Sequence, residues 1–138
     1  MTNQSKTEYH QMDVGFEFPR SSCKLDSAMV DTYLKAVGEA SPMYRDTKLV
    51  PPTALAACAM SALSGSISLP PGTLHVSQEL EFLGTVCRED TITCQAKVSR
   101  KQDRGKLHLM TIDLNVFKDQ QKAMTSKVGF VLPEQSEK

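Results

Sequence analysis

Seven side chains in this sequence are of the types that most readily bind metals or do nucleophilic and acid–base chemistry: four cysteines and three histidines. Cys23, Cys58, Cys87 and Cys94 contain no C-x-x-C pair and no zinc-ligand spacing, so they read as free thiols, with Cys58 and Cys94 on apolar faces. His75 and His108 fall in strand-like segments with no carboxylate at a diagnostic spacing, and each reads as a structural or interface histidine. No metal and no cofactor is expected. The stretch from Gly38 to Ala54 is the more interesting one. Glu39 is a carboxylate that could serve as a base. Tyr44 is a phenol whose ordinary pKa of about 10 keeps it from exchanging protons near neutrality. On residue type alone, Glu39 is equally a solvated charge and Tyr44 a ring covering a loop.

The elements that must hold these residues follow from pattern. Val14–Pro19 alternates Val14, Phe16 and Phe18 against Gly15 and Glu17, which predicts a short strand ended by Pro19. Asp26 or Ser27 caps a helix to Val37, whose stripe is Val30, Tyr33, Leu34 and Val37, and Gly38 stops it. Pro51 and Pro52 open a second helix over Thr53–Leu63, because the first turn of a helix does not need their missing N–H groups. This helix is Ala, Leu, Met and Cys nearly all round, so it should be surrounded by protein. Gly65 and Pro70-Pro71-Gly72 should end it.

Period-two segments come next. Thr73–Leu83 places Leu74, Val76, Gln78, Leu80 and Phe82 on one face. Thr91–Lys101 alternates Ile92, Cys94, Ala96 and Val98 against Thr91, Thr93, Gln95 and Lys97, and Lys106–Lys118 places His108, Met110, Ile112, Leu114 and Val116 on one face. Asp103-Arg104-Gly105 and Asp119-Gln120-Gln121 turn the chain, and Met124–Leu132 returns it. Short turns between alternating strands mean an antiparallel sheet with one buried face. The fold class is therefore α+β: a curved antiparallel sheet wrapped around a central apolar helix.

Composition bounds what such a fold can do. The 138 residues suit one domain, expected over 13–133 between a flexible tail at 1–12 and a polar tail at 134–138. Sixteen basic residues balance sixteen acidic ones, so the chain lacks the basic field that nucleic-acid binding draws on. Neutrality suits a subunit that covers part of its surface with a partner. The first dozen residues form no secretory signal and no apolar run reaches the length of a membrane span, so a cytoplasmic location is expected.

Three stretches, YLKAVGEASPMYRD, VPPTALAACAMSAL and PPGTLHVSQELEFLGTVCREDTITCQAKV, resemble the MaoC-like hot-dog proteins. That family includes the (R)-specific enoyl-CoA hydratases and 3-hydroxyacyl dehydratases of fatty-acid metabolism. The likeness covers residues 14–132. The family's G-D-x-N-P-x-H-x-D motif corresponds to Gly38-Glu39-Ala40-Ser41-Pro42-Met43-Tyr44-Arg45-Asp46. Its F-x-x-P-V-x-x-G-D turn corresponds to FLGTVCRED, where Phe82, Val86 and Asp90 match and Glu89 replaces glycine.

The resemblance implies a carboxylate and an imidazole that activate water across an enoyl thioester, with helix-start N–H groups holding the thioester oxygen. Carried over, the carboxylate is Glu39 and the imidazole position is Tyr44, making these the candidate catalytic pair. Ser41, Asp46, Thr53 and Ala54 become candidate substrate-binding residues. Ser41 stands for asparagine, Pro52 for the glycine at the helix start, and the Asp46–Val50 segment is shorter than the family's overhang.

The implied protein binds enoyl or 3-hydroxyacyl thioesters of CoA or acyl carrier protein, with weak or absent hydratase activity. It is expected to be a homodimer, or a heterodimer with a catalytic hot-dog subunit, and to contact no nucleic acid and no membrane. The competing functions are a hot-dog acyl-CoA thioesterase and a non-catalytic structural subunit of a hetero-oligomer. Ala54–Ser68 carries no acid to activate water, which counts against the thioesterase.

Overall fold

The computed structural model describes residues 6–38, 41–45 and 47–133. In chain order the elements are β1 (Thr7–Glu8), a 3-10 turn at Tyr9–Gln11, β2 (Ser21–Lys24), α1 (Ser27–Val37), α2 (Pro42–Arg45), α3 (Pro52–Ser66), β3 (Ile67–Ser68), β4 (Leu74–Phe82), β5 (Thr91–Arg104), β6 (Leu107–Lys118) and β7 (Gln121–Pro133). Five strands form one antiparallel sheet in the order β2-β5-β6-β7-β4, and β1 pairs with β3 in parallel.

The centre of the sheet is the part the alternation determines. Ile92, Cys94, Ala96 and Val98 on β5 are buried, as are Met110, Ile112, Leu114 and Val116 on β6 and Met124, Val128, Phe130 and Leu132 on β7. One face is thus apolar apart from the buried Ser126 on β7, and Leu55, Ala59 and Leu63 of α3 belong to the same core. Two-residue hairpins join these strands. At the first, Gly105 takes φ +61°, where glycine has no steric cost; at the second, Asp119 takes φ +56°. Both lie close to their predicted places.

α1 begins and ends as its residues dictate. The Asp26 carboxylate accepts the Met29 N–H at 2.7 Å, and Gly38 closes the helix in the left-handed region at φ +72°. Val30 and Leu34 are buried, but Val37 at the C-terminal end of the expected stripe is exposed.

Four expectations need correction. The predicted strand at Val14–Pro19 is not one. Gly15 turns at φ +94° and Pro19 offers no N–H, so the segment meets β5 only around the Glu17–Lys97 bridge, through backbone bonds of Gly15, Phe16 and Phe18, and the regular ladder starts at Ser21. α3 runs past Gly65 to Ser66, because packing outweighs the roughly 1 kcal/mol that glycine costs a helix. α3 is also not enclosed all round: Ala54, Leu55, Ala56, Ala59 and Leu63 are buried, whereas Thr53, Ala57, Ser61 and Ser64 form an exposed stripe. Residues 7–12 differ from the expected tail, since β1 and the 3-10 turn dock them and Met12 is completely buried. The remaining tail residues, 1–5 and 134–138, lie outside the described residues.

β4 holds a fifth difference. A bulge between His75 and Ser77 shifts its register against β7. His75, Gln78, Leu80 and Phe82 therefore align with the core-facing Phe130, Val128, Ser126 and Met124, whereas Leu74 aligns with Val131 on the other face. Every residue of β4 is exposed, and Leu74, Val76, Leu80 and Phe82 each keep at least 40% of their surface. This edge is the least covered part of the sheet.

Candidate functional site

The start of α3 is the first component. Pro51 and Pro52 have no N–H groups to offer, and the Ala54 and Leu55 N–H groups both donate to the Pro51 carbonyl, at 2.9 and 3.2 Å. Thr53 is left with the one N–H in this first turn that donates to no described residue. Its side chain is held from α1: the Tyr33 phenol and the Thr53 hydroxyl lie 2.7 Å apart.

The second component is the chain on either side of α2. Ser41 starts this short helix, its hydroxyl accepting the Met43 N–H and its carbonyl the Tyr44 N–H. Tyr44 is half-buried against the core. Beyond it, Lys48–Val50 pairs antiparallel with Val86–Arg88: the Val50 N–H donates to the Val86 carbonyl at 2.9 Å and the Arg88 N–H to the Lys48 carbonyl at 2.7 Å. The Lys48–Val50 stretch is thereby laid straight onto the turn before β5.

Arg88 joins the components. Its guanidinium donates to the Asp31 carboxylate at 2.7 Å, to the Ser27 carbonyl at 3.2 Å and to the Tyr44 carbonyl at 3.2 Å. The Arg88 side chain is only 12% exposed, against 67% for Asp31. One planar cation therefore fixes both ends of the segment that bears the candidate residues.

Glu89 and Asp90 complete the turn. Glu89 sits at φ +73°, the left-handed geometry that explains why the family motif has glycine there. A side chain at such a position costs on the order of 1 kcal/mol. Glu89 offsets part of that cost. Its carboxylate accepts the Ser27 N–H at 3.0 Å, at the start of α1, and pairs with Lys24 at 3.2 Å. Those contacts, the Ser27 N–H first, hold its pKa below the usual carboxylate value. Partial burial pushes the Asp90 carboxyl up, but the Cys87 N–H at 2.7 Å and Lys118 at 3.0 Å outweigh it, and the net shift is down.

These shifts carry a sign. A carboxylate with a depressed folded pKa stabilises the protein above its unfolded pKa and loses that contribution as pH falls through the folded value. With reference values of 4.5 for Glu89 and 3.8 for Asp90, the thermal midpoint should be flat from about pH 6 to 5 and fall below about pH 4. In a Glu89→Gln, Asp90→Asn variant the acid-side slope should be visibly shallower. An unchanged slope by scanning calorimetry would show that the turn does not set acid stability.

Of the candidate residues, the structure places Thr53 and Ala54 at the start of α3 and Ser41 and Tyr44 on the segment that Arg88 holds. The Ala54 N–H is already engaged, so it is not open to a substrate oxygen. Glu39 and Asp46 lie outside the described residues. Arg88, Tyr33 and Asp31 were not among the candidates. Arg88 falls at a position the family turn leaves unspecified, and its partners are far away in sequence. His108, by contrast, does have a carboxylate, Asp103 at 2.5 Å across the hairpin, but Asp103 is exposed and the pair sits at the β5–β6 turn. Surface hollows lie elsewhere: about 360 Å³ lined by Ser77, Glu79, Arg100 and Lys127, and about 340 Å³ lined by Tyr9, His10 and Pro70. Among the described residues no group of three or more His, Cys, Asp or Glu could hold a metal ion, and no helix is long and apolar enough to cross a membrane.

Comparison with known proteins decides the family. The family model for the FAS1-like dehydratase domain region matches residues 12–126. The chain belongs to this family. Solved structures share its fold. The R-hydratase PhaJ1 from Pseudomonas aeruginosa is 17% identical with a TM-score of 0.76, over 92% of this chain and 86% of that one. A MaoC-like dehydratase from Rhodospirillum rubrum is 12% identical with a TM-score of 0.76, over 94% and 98%. The ChsH1-ChsH2 complex from Mycobacterium tuberculosis supplies a chain 15% identical with a TM-score of 0.69, over 87% and 98%. No curated protein sequence matches. The FAS1-like dehydratase match and these neighbours make the chain a MaoC-like hot-dog protein.

Proposed function

We propose that this MaoC-like protein binds enoyl or 3-hydroxyacyl thioesters, carried on CoA or acyl carrier protein, and hydrates them weakly or not at all. The observation that carries the reading is the first turn of α3, where, among the described residues, the Thr53 N–H has no acceptor and stands available for a thioester oxygen. One donor is enough to position a carbonyl. A pair is what usually stabilises an oxyanion, and losing one such donor typically costs about 10²- to 10³-fold in rate. The imidazole position is Tyr44, and a phenol lacks the second ring nitrogen and the ready proton exchange by which an imidazole serves as acid and base in hydration. Both departures spare binding more than catalysis.

The bare β4 edge supports the expected pairing with a second hot-dog subunit. Unpaired strand edges with exposed Leu80, Phe82 and Leu83 invite pairing, and the exposed stripe of small residues on α3 would let a neighbouring helix approach closely. We place the acyl chain between the two subunits, since the hollows of the single chain described above are lined by other residues.

The test is a titration of ¹⁵N-labelled protein with butyryl-CoA, with light scattering on the same sample. The expected result is saturable binding in which the Thr53 amide shifts most strongly, and a mass about twice that of one chain. Saturable binding that leaves the Thr53 amide unmoved, or no binding at all, would overturn the proposal.

A further inference from the structure

The sulfurs of Cys23 and Cys58 lie 2.9 Å apart, one on the edge strand β2 and one on α3. Both are free thiols and both are partly exposed. The separation exceeds a disulfide bond of about 2.05 Å by less than about 1 Å, so joining them needs a side-chain adjustment and no movement of secondary structure. Cys23 aligns with the fully buried Ile92 on β5, which turns it to the side of the sheet where α3 lies. We propose that Cys23 and Cys58 are a built-in dithiol that a small-molecule disulfide oxidises to an intramolecular disulfide, stapling α3 to the sheet edge.

The roles of the two thiols differ. Burial, together with the neighbouring Cys23, pushes the Cys58 thiol up to about 12, so Cys58 is protonated at neutral pH. Cys94, 4% exposed, is also pushed up by burial, to about 11. We assign the attack to Cys23, which lies on the edge strand β2. Its thiolate displaces one thiolate from a disulfide such as oxidised glutathione, leaving a mixed disulfide on Cys23. Cys58 then gives up its proton to the medium and attacks the Cys23 sulfur, expelling the second glutathione thiolate. Two protein thiols and one small disulfide become one protein disulfide and two small thiols, with two electrons passing to glutathione.

The bond would enclose the chain from Lys24 to Ala57, which contains α1, α2 and Thr53. Oxidation would thus constrain the whole segment that builds the candidate site. The proposal does not rest on thioester binding and can fail independently of it.

The experiment equilibrates the protein with oxidised glutathione, quenches in denaturant with a maleimide, and measures intact and peptide masses. Of the four cysteines, two should escape the label in the wild type, in a Cys23–Cys58 linked peptide, and the melting point should rise by roughly 5 °C. A Cys58→Ser variant should stop at a glutathione adduct on Cys23. A Cys23→Ser variant should form neither product, and a Cys94→Ser variant should still form the bond. Four labelled thiols in the treated wild type, a wild type that stops at the glutathione adduct, or a link to Cys94 would each overturn the proposal.

Discussion

A Glu39→Asp, Tyr44→His double variant is expected to hydrate crotonyl-CoA at least about 10²-fold faster than the wild type. Positioned general acid–base groups contribute roughly 10²- to 10⁴-fold, and an imidazole titrates at about 6.5, where a phenol does not. Tyr44 lies on α2 between two anchors, the Ser41 carbonyl on its N–H and Arg88 on its carbonyl. A histidine there inherits a backbone that is already held. Glu39→Asp removes the extra methylene, since a displacement of about 1 Å can itself cost on the order of 100-fold. The gain should carry a new pH dependence centred near the histidine pKa. Circular dichroism and retained CoA-ester binding establish that the variant is folded. A folded, binding variant with no gain would mean that the lone Thr53 N–H, or the placement of Glu39, limits the chemistry instead of Tyr44.

The second large effect concerns stability. Arg88→Ala should destabilise the protein by about 2–4 kcal/mol and lower its melting point by roughly 10 °C. The mutation removes the guanidinium bonds to the carbonyls of Ser27 and Tyr44 and with them the tie between α1 and α2. Asp31→Asn breaks only the exposed end of the same network, and the expected loss is below about 1 kcal/mol. Arg88→Lys keeps the charge but cannot reach three acceptors with one planar fork, so it should fall between the two. Chemical denaturation of the three variants separates the contributions. Equal losses for Asp31→Asn and Arg88→Ala would show that the ion pair, and not the carbonyl contacts, holds the turn.

Much of the scaffold was legible because local chemistry and global packing agree there. Asp26 caps α1, Gly38 ends it, Pro52 starts α3, and alternation on β5 and β6 groups the side chains that share the buried face. What escaped depends on long-range packing. The β4 bulge puts Leu74 on the opposite face from Leu80, and no periodicity shows where one residue is skipped. Met12 looks like part of a polar tail until β1 pairs with β3 and buries it.

The candidate site divides in the same way. Ser41 and Tyr44 lie on a motif that the sequence displays in order, and Thr53 follows the prolines that mark the start of α3. Arg88 meets Ser27, Asp31 and Tyr44 only in the folded chain, and Cys23 meets Cys58 only across a helix and a strand. The glycine-to-glutamate change at Glu89 reads as decay in the motif. In three dimensions the turn keeps its left-handed geometry, and the carboxylate is bound to the start of α1.

The central claim is thioester binding without efficient hydration, and enoyl-CoA turnover tests it most directly. Purified wild-type protein and the Glu39→Ala variant are incubated with crotonyl-CoA and longer enoyl-CoAs while the absorbance of the conjugated thioester is followed. The account predicts saturable binding with turnover near the uncatalysed rate, the same for both proteins. Rapid loss of absorbance in the wild type, abolished by Glu39→Ala, would contradict it and show that Glu39 works as a base without a histidine at position 44.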